Sequence, residues 1–131
     1  MSVQMELNRI IISEMRQEQF IVLKEVDGER TFPIVIESAQ AIAIDKRLRG
    51  IPPQRPMTHD LLASVMEHLG ATLDHININD LKEHTFFAQI VMRHNGRTIE
   101  VDSRPSDAIA LGIATKVPIF VAEHVLAAVG S

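Results

Sequence analysis

The chain has 131 residues, 46% hydrophobic and 23% charged, the range of one compact domain that buries a sizeable core. It contains no cysteine, which excludes a disulfide framework and a thiolate zinc site, so any metal must be held by Asp, Glu, His or Asn. A net charge of −4, no Trp or Tyr and five Phe argue against a protein that coats nucleic acid by bulk charge or stacks bases on aromatic rings.

No apolar run approaches the roughly 20 residues of a membrane helix, and the N-terminal MSVQME is too polar for a signal peptide. The expectation is a soluble, cytoplasmic protein without membrane contact, folded as a single domain over 1–131.

Residues 3–7 alternate, with Val3, Met5 and Leu7 on one face, and Ile10, Ile11 and Ile12 then break the phase; this predicts a strand with an irregularity near Asn8. A second strand covers 20–26. Asp27-Gly28 predicts a two-residue hairpin turn, and the return strand over 30–36 contains Pro33, which suits an edge or a bulge. Ser38 is placed to cap a helix over 39–49, with Ala41, Ile44 and Leu48 sharing a face and Gly50 as the stop.

Residues 51–56 (IPPQRP) then form a stiff linker. Thr58 is placed to cap a second helix with Asp60 in its first turn, and Leu61, Leu62, Val65, Met66 and Leu69 make an apolar stripe that ends at Gly70. A short strand over 76–78 ends at Asp80. The next, 85–94, puts Phe86, Ala88, Ile90 and Met92 on one face, and Asn95-Gly96 turns it into a strand carrying Ile99 and Val101. An uncharged helix over 108–114, a short strand over 119–121 and a last helix over 123–129 complete the chain.

A hairpin, a strand and an Ala-Ile-Ala helix occur in that order twice, around Ala41 and around Ala108, which suggests a ββα pseudo-repeat. The predicted class is α+β, with a mixed, largely antiparallel sheet of about seven strands and about four helices.

Chemistry concentrates at the junction between the strand bearing Val101 and the helix bearing Ala108. Asp102, Arg104 and Asp107 stand there, within six positions, at a strand end and a helix start. Such a set suits a metal or phosphate site, and equally a well-capped turn.

Six strings in order resemble one known family: PIVI (33–36), RPMTHDLL (55–62), INDL (78–81), TFFA (85–88), DSRPSDAIAL (102–111) and PIFVAE (118–123). The pattern, which extends from about Leu7 to Ala128, is similar to the bifunctional nuclease domain, of small bacterial and plant proteins associated with degradation of DNA and RNA. The RPSDAIA string is its most specific element. Members often carry Gly directly after PIVI and Glu three residues further on; Glu37 and Gln40 occupy those positions here.

The resemblance implies a metal-assisted nuclease acting on DNA and RNA, assembled as a homo-oligomer. Asp102 and Asp107 are its candidate metal ligands, for Mg²⁺ or Mn²⁺, and its candidate catalytic carboxylates. His59 is a candidate ligand or general acid and Asp60 its neighbour, or the two form a surface cap. Arg104 is placed either to clamp a phosphate or to pair with a carboxylate. Arg55, Lys46 and Arg47 are candidate substrate contacts, with Lys46, Arg47 and Arg49 equally suited to stabilising a helix C-terminus. His68, His75, His84, His94 and His124 show no ligand spacing. The other reading is a non-catalytic oligomeric binding or regulatory module using the same polar residues structurally.

Overall fold

The computed structural model describes residues 1–12 and 18–129. Seven strands and four helices follow one another as β1 (Ser2–Ile11), β2 (Gln19–Glu25), β3 (Thr31–Ile36), α1 (Ser38–Leu48), α2 (Thr58–His68), β4 (Thr72–Lys82), β5 (Thr85–His94), β6 (Arg97–Ser103), α3 (Pro105–Thr115), β7 (Ile119–Ala122) and α4 (Glu123–Val129). All strands join one sheet in the order β3-β2-β1-β7-β4-β5-β6. Neighbours are antiparallel except β4 and β7, so the sheet is mixed and the α+β class holds.

The local chemistry explains most boundaries. The register of β1 against β2 slips between Leu7 and Arg9, so Asn8 forms the irregularity that the broken alternation predicts. Asn95 and Gly96 both take positive φ (52° and 76°), the conformation of a primed two-residue turn, and they join β5 to β6. Asp27-Gly28 differs from the expectation: Gly28 is absent from the positive-φ residues, and the last register pair before the loop is Lys24–Thr31. A longer loop replaces the tight turn. The Glu25 carboxylate takes up the space beside Gly28 and accepts from Arg30 Nε at 2.8 Å.

Helix α3 organises the core. Six of its residues are buried, from Ser106 to Gly112 with Asp107 excepted, and it packs against β3, β4, β5, α1 and α2. The sheet curls around it far enough for Phe32 on β3 to meet Phe86 on β5, ring centroids 5.7 Å apart. Gly112 permits the closest approach, because a Cβ there would stand 2.8 Å from Ile76 Cγ1.

Two helix expectations are corrected. Ser38 and Thr58 are the first helical residues rather than the caps; Glu37 and Met57 hold the N-cap positions. The apolar stripe of α2 buries only Met66, leaving Leu61, Leu62, Val65 and Leu69 exposed, and Leu48 on α1 is exposed as well. Since α1 and α2 cover its flanks, the uncharged stretch 108–114 of α3 finds packing within its own chain.

Candidate functional site

Three helices begin around one cleft of about 620 Å³. Ala39 and Gln40 come from the start of α1, Thr58 and His59 from the start of α2, and Arg104 and Asp107 from the start of α3, with Ile90 and Val101 forming an apolar wall. Each helix start carries backbone N–H groups without intrahelical acceptors and the positive end of a dipole. Their convergence turns three positive dipole ends toward one cleft, where Asp102 and Asp107 supply the opposing charge.

Arg104 is the N-cap of α3, held extended by the following Pro105. Its Nε donates to Asp107 Oδ2 at 2.8 Å and its Nη1 to Glu37 Oε1 at 2.8 Å. Asp107, then Glu37, by these hydrogen bonds hold the guanidinium still more firmly protonated than an ordinary arginine. Glu37 is the N-cap of α1, so one ion pair ties two helix starts together.

Gln40 completes the cluster. Its Oε1 accepts from the Glu37 N–H at 3.3 Å while its Nε2 donates to Asp107 Oδ1 at 2.5 Å. An amide can do both; a carboxylate can only accept. Glu37 and Gln40 were not counted as site residues from the sequence, although an acidic residue with Gln three positions later, just before an apolar helix, is a capping-box pattern.

His59, Asp102, Arg104 and Asp107 therefore line the same cleft. They do not face it alike. Register pairs Val101 with Ile90 and Asp102 with Gln89, so strand alternation sends Asp102 to the face opposite Val101 and leaves it at the rim. Asp60 does not line this cleft: its carboxylate accepts from Arg47 Nη2 at 2.6 Å and from the Met57 N–H at 3.0 Å, and lies 3.6 Å from His59 Nε2. Asp60, Arg47 and Arg55 line a separate groove, and Lys46 a third beside Pro52 and Pro53.

Among the described residues no group of three or more His, Asp or Glu is placed to hold a metal ion. The donors fit Mg²⁺ only as that ion sits in phosphate sites, with one or two carboxylates and the remaining ligands from phosphate and water.

The fold and cleft define a curled α+β domain with a polar cleft at converging helix starts. A family model described as the bifunctional nuclease domain matches residues 21–131. The chain belongs to that family. It is 38% identical over 121 residues to an uncharacterized protein of Mycobacterium tuberculosis, covering 92% of this chain and 72% of that one. It is also similar to Bifunctional nuclease 1 of Oryza sativa subsp. japonica, 29% identical over 103 residues, covering 76% of this chain and 31% of the rice protein. Bifunctional nuclease 2 of the same plant is 27% identical over 112 residues, covering 82% and 34% respectively. No helix among the described residues is long and apolar enough to cross a membrane.

Proposed function

We propose that the chain is a nuclease that binds a DNA or RNA phosphodiester in the cleft at the starts of α1, α2 and α3. The convergence of those three helix starts with Arg104 carries the reading, because it supplies oriented N–H donors and a fixed cation where a phosphate would lie. Arg104 positions and neutralises the phosphate, and His59, whose side chain is largely buried at the start of α2, is the candidate proton donor to the leaving oxygen. Asp107, with Asp102 at the rim, is the candidate carboxylate for Mg²⁺ or Mn²⁺, which would supply Lewis-acid stabilisation of the phosphate.

The test is nucleotide release from single-stranded RNA and DNA by purified protein with added Mg²⁺ or Mn²⁺. Arg104→Ala and His59→Ala are expected each to lower kcat/KM by about a hundredfold. An inactive wild-type protein, or variants with unchanged rates, would overturn the reading.

One observation favours a non-catalytic module: the Arg104 donors are already engaged by Glu37 and Asp107. In that case Arg104→Ala would lower the melting temperature or oligomer mass and leave no nuclease activity to lose.

A further inference from the structure

Among the described residues strand β6 is an open edge, bonded to β5 on one side. Sheet edges are commonly blunted by Pro, Lys or a bulge, because an unpaired row of N–H and C=O groups templates another strand. The opposite edge, β3, carries Pro33. β6 carries charges at Arg97, Glu100 and Asp102, but its sequence RTIEVDS contains neither Pro nor Lys, and its register against β5 runs without a shift from Arg97 to Ser103.

The exposed apolar face of α2 lies beside this edge. Leu62 and Val101 line the same cleft, and at the other end His94 Nε2 lies 3.1 Å from the Leu69 carbonyl oxygen, with His94 the register partner of Arg97. Helix and strand therefore run side by side in opposite directions. Leu61, Leu62, Val65 and Leu69 on α2, with Ile99 and Val101 on β6, are between 37% and 71% exposed. A free strand edge flanked by an apolar helix is half of a two-layer interface.

We propose that a second copy of this chain completes it, β6 pairing antiparallel with β6 and α2 packing on α2 about a twofold axis. Self-complementarity of the strand identifies this occupant. Centred on Ile99, the pairing sets Ile99 opposite the partner's Ile99, Val101 opposite the partner's Arg97, and Thr98 opposite the partner's Glu100. Centred on Glu100 it would oppose two Glu100 carboxylates, and centred on Val101 it would set Glu100 against the partner's Asp102. Like charges directly opposite are destabilising, and a one-residue slip would turn the apolar face outward. Charge excludes those two centres, and centring on Thr98 would keep only residues 97–99 of each β6 in the ladder, which leaves the Ile99-centred register.

That register has a consequence for the cleft. Val101 lines it, so Arg97 of the partner subunit stands at its mouth on the same face, about 5 Å away between Cβ atoms. Each cleft gains a second guanidinium across from Arg104, supplied in trans. This last step rests on the nuclease reading; the interface does not.

The chain has no cysteine, so single cysteines report the register directly. Sedimentation of the full chain at tens of micromolar should give twice the monomer mass. Oxidised Ile99→Cys should become a covalent dimer, because antiparallel opposite residues lie within disulfide reach, whereas Glu100→Cys should not. A monomeric wild type, or cross-linking at residue 100 instead of 99, would overturn the interface. The two positions are exposed, and circular dichroism verifies that the variants fold. Leu61→Glu with Leu69→Glu should return the protein to monomer. Arg97→Ala should keep the dimer mass while weakening binding of a fluorescent single-stranded oligonucleotide about tenfold. Unchanged binding with the dimer intact would overturn the trans arginine, and absence of binding by the wild type would count against the nuclease reading while the cross-link still judged the interface.

Discussion

At the residue scale, Gln40 is the most instructive position. The structure gives its amide two tasks, accepting from the Glu37 N–H and donating to Asp107. Gln40→Glu keeps the first and reverses the second, setting two carboxylates against each other. Without divalent cation the variant should melt lower, by about 1 kcal/mol of stability given the exposure of the group. Added Mn²⁺ should raise its melting temperature more than that of the wild type. Calorimetry with and without Mn²⁺ checks this; an equal response in both proteins would show that position 40 does not govern metal affinity.

At the element scale, α3 shows where sequence reading succeeds and where it stops. The uncharged run 108–114 announces a buried helix, and Arg104 and Asp107 mark its start, because those signals are local. Asp102 and Asp107 line one cleft, but spacing does not reveal that strand alternation, fixed by the pairing of β6 with β5, leaves Asp102 at its rim. The convergence of three helix starts was not legible either, since α1 and α3 meet through contacts 67 positions apart, such as Glu37 with Arg104. The stripe on α2 had the right period for a buried face, and periodicity does not say whether the covering partner lies in the same chain. Gly112 marks the tightest contact of α3. Gly112→Ala gains helix propensity but drives a methyl into the buried Ile76, so a net loss of about 1–3 kcal/mol is expected by chemical denaturation.

At the scale of the whole molecule, one ionic latch joins distant parts of the chain. Arg30, in the loop between β2 and β3, binds Glu25 at 2.8 Å and Glu123 of α4 at 2.8 Å. Hydrogen bonds from Arg30 hold both carboxyls below their ordinary values, and Asp80 is lowered too, chiefly by the Leu81 N–H and then by His124. Groups with a folded pKa below the unfolded one contribute fully above the unfolded value and lose that contribution as pH falls through the folded one. Thermal stability should therefore be level from pH 7 to about 5 and decline below about pH 4. Arg30→Ala should shallow that acid decline; a melting profile with the same acid slope would exclude the latch as its source.

The position of β7 in the sheet order also dictates timing. The strand that joins the β1-β2-β3 meander to the β4-β5-β6 meander is made of residues 119–122, so a ribosome delivers the joining piece after both meanders have emerged. Each meander can pair locally and early, at low loop-closure cost. The facing edges of β1 and β4 stay open until residues 119–122 dock between them. Pulse-labelled amide exchange on a chain truncated before Pro118 should find those two edges unprotected, which makes the interval before β7 docks the moment at which this protein is most exposed to misassembly.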